Sequence, residues 1–255
     1  MNQNRRHQFL AATLLLLSLS VARADLFDFL KKPTKTNATA GTTALLSGLS
    51  QDDIVKGLKE ALAKGTEQAV ANLGKEDGFL KNLDVKIPMP EQLATVEKAL
   101  RRLKQDKLAD EFVTTMNRAA EKAAPEAAAI FADAIKGMTM EDAKAILKGP
   151  DDAATQYFKK VSQLKLTEKF LPIVKDATEK TGVTFAYKRL TEHTGSSALG
   201  GLLGGGQNVD VDKYVTDKAL DGLFKMVAAE EKTIRQNPVA RTTDILKKVF
   251  GTPLK

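Results

Sequence analysis

Cysteine is absent from the 255 residues. That one absence removes disulfides, thiol nucleophiles, cysteine-ligated metals and iron–sulfur clusters. Histidine is almost absent: the two imidazoles are His7 and His193. A histidine-rich zinc site cannot be built from them, and serine–histidine–aspartate catalysis would have to run through a single residue. Aromatic residues make up 5% of the chain and runs of β-branched residues are scarce. No apolar run reaches the ~20 residues that a membrane-crossing helix needs. Lys and Arg are interspersed with Asp and Glu instead of gathering on one face or in one tail, so no nucleic-acid partner is expected. There is also no fixed-period repeat of the kind that marks a solenoid.

What is present begins at the N-terminus. Arg5 and Arg6 precede an apolar run over 9–22, and Ala22-Arg23-Ala24 then offers the small-x-small pattern read by signal peptidase. The sequence therefore predicts a cleaved signal peptide over 1–24, with Asp25 as the new N-terminus. His7 and Gln8 separate the paired arginines from Phe9 and Leu10, which fits a twin-arginine signal poorly. With no cysteine at the cleavage point, a lipoprotein anchor is not expected. Cleavage would leave 231 residues, take away His7 and three arginines, and lower the net charge from +7 to +4. An exported, periplasmic protein, soluble after cleavage, is the expectation.

Ala, Leu, Lys and Glu dominate the remainder, a helix-forming composition. An amphipathic stub and a Thr-, Ala- and Gly-containing tether are expected over 25–48, one helical domain over 49–251, and a short tail over 252–255. Gly149 marks the place where two lobes would divide. The fold class expected is all-α, an irregular array of about ten helices. Ser50 with Asp53, and Thr139 with Asp142, are capping boxes. Pro88 and Pro90 hold 85–90 extended. A helix over 91–104 should bury Leu93, Val96, Leu100 and Leu103. Pro125 suits a first helical turn, and Pro172 should kink or end a helix. Asp210 or Asp212 should start a long helix reaching about Gln236, with Leu220, Leu223, Phe224, Val227 and Ile234 inward. Further helices are expected over 183–193 and 243–250.

Several patterns carry chemistry on paper. Asn208-x-Asp210-x-Asp212 imitates the opening of a calcium loop, but the sixth and twelfth positions hold Lys213 and Ala219 instead of glycine and glutamate. Helix capping is the better reading. Asp151-Asp152, like Glu141-Asp142, sits where a helix start favours acids. The Gly-rich stretch 195–206 lacks a phosphate-binding or nucleophile-elbow motif. Glu230, Glu231, Arg235, Asn237 and Arg241 crowd around Pro238. Two arginines near free helix-start amides would hold an anion. Equally, Glu231 and Arg235 stand at the spacing of an intrahelical ion pair. His193 reads as a cap or surface residue.

Many segments in order resemble one bacterial family. They are M-N-R-A-A-E (116–121), D-A-I-K-G-M (133–138), E-D-A-K-A-I-L-K-G (141–149), A-A-T-Q-Y-F (153–158), F-L-P-I-V (170–174), Y-V-T-D-K-A-L-D-G-L-F (214–224) and K-K-V-F-G (247–251). The family is domain of unknown function 4197, and the resemblance implies an exported helical protein of Gram-negative bacteria. It supplies no activity, cofactor or catalytic residue.

The leading expectation is a binding or interaction module with a polar groove between helices. Its rim would come from Asn117, Arg118, Glu121, Tyr157, Lys218, Asp221, Arg235 and Arg241, which are polar residues inside otherwise apolar helical segments. Its partner would be a small anionic ligand or another envelope protein, with no metal and no cofactor. One rival is a hydrolase using Glu121, Asp133 or Asp221 in acid–base roles. Another is membrane-surface contact through 26–30 and the leucines at 199, 202 and 203.

Overall fold

The computed structural model describes residues 50–180 and 209–236. Within them the chain forms helices and no strands. The first, α1 (Gln51–Gly74), starts at the expected capping box: the Asp53 amide donates to Ser50 Oγ at 3.1 Å, and the Ser50 amide donates to Asp53 Oδ2 at 3.3 Å. Residues 75–90 then run through a turn and an extended stretch. A 3-10 turn, Glu91–Leu93, leads into α2 (Ala94–Arg102), followed by α3 (Asp106–Ala123). Pro125 lies in a 3-10 turn, Ala124–Glu126, that feeds α4 (Ala127–Gly137). The Thr139–Asp142 box opens α5 (Met140–Lys148), with the Asp142 amide 3.1 Å from Thr139 Oγ1. The two longest helices are α6 (Ala153–Lys180) and α7 (Val211–Gln236).

The described residues thus hold seven α-helices, fewer than the ten or so expected. Part of the difference is physical. Pro172 does not end the helix; α6 continues past it to Lys180. A mid-helix proline forfeits one backbone hydrogen bond and costs about 3 kcal/mol. Here Glu168, whose carbonyl loses its partner, and Pro172 itself are both exposed, so water can take the freed acceptor. Beyond the proline Val174 and Thr178 are fully buried, and that burial offsets the loss. The helices expected over 183–193 and 243–250 lie outside the described residues.

At the centre, α6 packs against α3, α4, α5 and α7, while α1 crosses α7 and α4. The core is apolar and aromatic where these helices meet. Phe79, Phe131, Phe158 and Phe170 are fully buried, with the Phe131 ring 5.0 Å from Phe158 and 6.3 Å from Phe224. One continuous cluster of buried side chains joins residues on both sides of Gly149. The close approach of segment 75–90 to α7 requires glycine at Gly222, where a Cβ would stand 2.7 Å from the Phe79 ring and 3.1 Å from Val85 Cβ. Among the described residues no helix is long and apolar enough to cross a membrane.

The periphery differs from the expectation at α2. Leu93 is buried and Val96 and Leu100 are half-buried, but Leu103 is 71% exposed. The reason is that α2 ends at Arg102, and Lys104 turns the chain with φ of 58°. Leu103 therefore leaves the helical stripe that would have carried it inward.

Candidate functional site

The segment 75–90 satisfies part of its backbone in local turns, through the amides of Gly78, Lys81, Asn82, Val85 and Lys86, but the amides of Phe79, Leu80 and Ile87 must find partners elsewhere. One face of α3 supplies them. Asn117 is fully buried; its Oδ1 accepts from the Ile87 amide at 2.9 Å, while its Nδ2 donates to the Ile87 carbonyl at 2.9 Å and to the Val113 carbonyl at 2.8 Å. One side-chain amide thus does for Ile87 what a neighbouring strand would do. A turn further on, Glu121 Oε1 accepts from the amides of Phe79 and Leu80, both at 3.0 Å. Its other oxygen accepts from Arg118 Nη1 at 2.6 Å.

Arg118 extends the network outward to Asp77 at 2.7 Å and Glu76 at 3.3 Å. Asp77 occupies the left-handed region with φ of 66°, which Asp tolerates better than most residues. Hydrogen bonds from Lys81 and then Arg118 hold its carboxyl below the ordinary range. The Arg118 guanidinium is correspondingly shifted up, chiefly by Glu121.

A second network joins α5, α6 and α7. Glu231, buried on α7, places its carboxylate on the first turn of α6. Oε1 accepts from the Ala154 amide, and Oε2 from the Thr155 amide and hydroxyl, each at 2.9 Å. Arg235 donates to Glu231 Oε1 through Nε at 3.0 Å and Nη2 at 2.8 Å, and to the Ile146 carbonyl at the end of α5 at 2.9 Å. A helix N-terminus plus an arginine is an anion-binding arrangement. Here the anion is internal: it is the Glu231 carboxylate, brought from 76–77 residues away in sequence. The ion pair at i,i+4 spacing is present as well.

The other residues of the expected rim lie elsewhere. Tyr157 donates to the Ala134 carbonyl at 2.9 Å, and burial pushes its phenol upward. The Lys218 ammonium sits 6.0 Å from the Tyr214 ring centroid, and Asp221 is exposed on α7. Arg241 and Asn237 lie outside the described residues, as do His193, the Gly-rich stretch 195–206 and the stub 26–30. The structure therefore groups Asn117, Arg118 and Glu121 around 75–90, and Arg235 with Glu231 at the head of α6. Asp133 faces Lys136 at 3.7 Å, both side chains exposed. Asp210 caps α7 by accepting from the Lys213 amide at 2.9 Å, and Asp212 accepts from the Thr178 hydroxyl at 2.6 Å. Asp151 and Asp152 take the side-chain amides of Gln236 and Gln156. Among the described residues no group of three or more His, Cys, Asp or Glu is placed to hold a metal ion.

Two surface features remain. Leu58, Ala61 and Leu62 of α1, Ile146 of α5 and Ile234 of α7 line a cleft that ends on Glu231 and Arg235; its space, part of it open to solvent, is about 210 Å³. Separately, α6 exposes Val161 (41%), Leu164 (73%) and Leu171 (40%) on the side away from the core. Sequence reasoning missed the long-range role of Glu231. Its signal was available: positions 227, 231 and 234 share one helical stripe with Leu220, Leu223 and Phe224, so Glu231 is a charge on the inward face.

These features define an all-α protein whose buried acids hold its own backbone. The chain belongs to the family described as protein of unknown function DUF4197, whose model matches residues 48–251. No curated protein and no solved structure matches the chain.

Proposed function

We propose that this protein is an exported interaction module of the Gram-negative cell envelope, which docks a helix of another protein on the outer face of α6. The observation that carries the reading is the exposure of Val161, Leu164 and Leu171 along the helix whose opposite side forms the core. Their spacing of three and seven follows an a/d seam, the pattern that receives a partner helix. Lys160, Lys165 and Lys175 are exposed around the seam, with Glu168 within it, so an acidic, amphipathic partner helix fits best. Three aliphatic side chains fall well short of the ~800 Å² per partner of a standard stable interface. The contact expected is accordingly weak and reversible. Export is supported by the basic, apolar and small-x-small succession of residues 5–24.

A polar groove is a less suitable binding surface. A binding residue must have hydrogen-bonding capacity left for its ligand, and Asn117 and Glu121 already meet two or three internal partners each. The same argument weakens a hydrolase built on Glu121, while Asp133 faces Lys136 and Asp221 is exposed on α7. Contact with a membrane surface has one observation in its favour: Leu103 and Leu108 are 71% and 52% exposed where α2 meets α3, close in sequence to Arg102, Lys104 and Lys107. Cosedimentation with anionic vesicles tests it, and loss of binding in Leu103→Asp is its expected signature.

The docking reading is tested by a photocrosslinking residue at position 164 in cells, compared with one at Glu67, exposed on α1. A discrete adduct from position 164, absent from position 67 and lost on Leu171→Lys, is expected. Equal adducts from both positions, or none from position 164 in folded protein, would overturn it.

A further inference from the structure

The exposed stripe on α6 is not purely apolar. Val161, Leu164 and Leu171 follow an a/d spacing, and the seam position between the last two falls on Glu168, which is exposed. A helical glutamate commonly meets a cation three or four residues away. Here positions 164 and 171 are leucine and position 172 is proline, which leaves only Lys165. Among the described residues the Glu168 carboxylate makes neither a hydrogen bond nor an ion pair, with Lys165 or with any other group.

Pro172 adds a second acceptor at the same place. The donor that an α-helix supplies to the Glu168 carbonyl is the amide of residue 172, and proline has none. Both residues are exposed. Glu168 therefore presents a carboxylate and a carbonyl, between Leu164 and Leu171, to whatever covers this face.

We infer that Glu168 is the specificity-determining position of the α6 face, where it takes an arginine or lysine carried within the apolar stripe of the partner helix. The inference rests on the docking reading above and adds the chemistry of the partner's central residue. A charge covered by apolar side chains loses its water, and only a counter-charge or hydrogen bonds offset that loss. A wholly apolar helix would leave both acceptors of Glu168 without donors, so it is selected against. Arginine fits best, because its guanidinium has several donors and can serve the carboxylate and the carbonyl together. A second copy of this chain is a poor occupant. An isologous contact sets the same patch on both sides, so Lys160 and Lys165, exposed beside the seam, would face lysines again. The partner helix is acidic along its flanks and basic at one point in its centre.

Three labelled synthetic peptides test this. Each is an amphipathic helix with a leucine stripe and glutamate flanks, and they differ only at the central stripe position: arginine, glutamine or glutamate. Binding to the full chain is read by fluorescence anisotropy. The arginine peptide should bind about ten-fold or more tighter than the glutamate peptide, with glutamine between them. The surrounding lysines alone favour the more acidic peptide, so general charge attraction predicts the opposite order. Glu168→Lys should reverse the order and Glu168→Gln should remove the preference for arginine. Glu67→Lys, exposed on α1, should leave it unchanged. Residue 168 is on the surface, and an unchanged urea midpoint establishes that each variant is folded. Equal binding of the three peptides, or an order that survives Glu168→Lys, would overturn the inference and leave the docking reading standing. Binding of no peptide, or binding that survives Leu171→Lys, would overturn the docking reading and this inference with it.

Discussion

Replacing Glu231 by alanine should remove a large part of the stability of the fold, although its ion pair has a commonplace spacing. In the native structure the carboxylate accepts from Ala154 N, Thr155 N, Thr155 Oγ1 and two nitrogens of Arg235. Losing its capping role at the head of α6 costs about 0.5–2 kcal/mol. Leaving Arg235, only 13% exposed, without its counter-charge belongs to the class of broken buried pairs, at about 3–5 kcal/mol. The two effects share atoms and do not add, so about 3–5 kcal/mol is expected. That is a major share of the ~5–15 kcal/mol that holds a typical domain folded. Glu231→Gln keeps the shape and one acceptor while losing the charge; about 2–3 kcal/mol is expected from charged hydrogen bonds becoming neutral or opposed.

The control is Glu97–Arg101, an i,i+4 pair with the same 2.8 Å contact but side chains 28% and 40% exposed. Glu97→Ala should cost no more than about 1 kcal/mol. Urea unfolding of the three variants at neutral pH, read as midpoint shifts at constant slope, measures these values. If Glu231→Ala and Glu97→Ala fall within about 1 kcal/mol of each other, burial of the Glu231 network contributes nothing and the reasoning fails.

Three other outcomes follow from the same geometry. Asn117→Leu should destabilise the fold by about 2–4 kcal/mol, because the buried Ile87 amide and carbonyl lose their partner; proteolysis within 75–90 should accelerate in step, and intact resistance would refute the clamp. Gly222→Ala should lose about 1–3 kcal/mol in urea unfolding through overpacking against Phe79 and Val85, although the same change in an exposed helix would add stability. Asp142 is held below the ordinary carboxylate range by the Thr139 hydroxyl, then by its backbone amide. A depressed folded value means that its stabilisation is fully present at neutral pH and is lost as pH falls below ~4 through the lowered value. The stability difference between the protein and Asp142→Asn should therefore shrink across that acid range, and a difference independent of pH would contradict the cap.

What was legible in the sequence was what is local. The two capping boxes, the extended prolines at 88 and 90 and the capping aspartate at 210 each depend on residues within four positions, and each appears as expected. The inward stripe of α7 was also readable, since periodicity reports a face without naming what it meets. Pro172 does not end α6, because the burial of Val174 and Thr178 beyond it offsets the one lost hydrogen bond. Leu103 misled because the periodicity was extended one residue past Arg102, where α2 ends before the turn at Lys104. The partners of Asn117 and Glu231 were not readable at all. They lie 30 and 76–77 residues away, and nothing local distinguishes a polar residue that binds a ligand from one that holds a distant loop.

That ambiguity bears on where function should be sought. Polar residues embedded in apolar helices point to a site only if their donors and acceptors are available to a ligand. In this chain Asn117, Glu121 and Glu231 instead take backbone amides that local turns and helices leave over, in 75–90 and at the first turn of α6. Such clamps hold an irregular helical array in one arrangement, because each works only when both of its distant segments are in place. A scaffold fixed in this way can present hydrophobic groups to solvent without collapsing over them. Val161, Leu164 and Leu171 remain exposed on the most deeply packed helix, and neither the core nor either clamp requires them there. Unlike the single exposed leucines at 83, 103 and 108, which lie outside or at the ends of helices, these three line one face of a continuous helix, and that face is where a partner should be sought first.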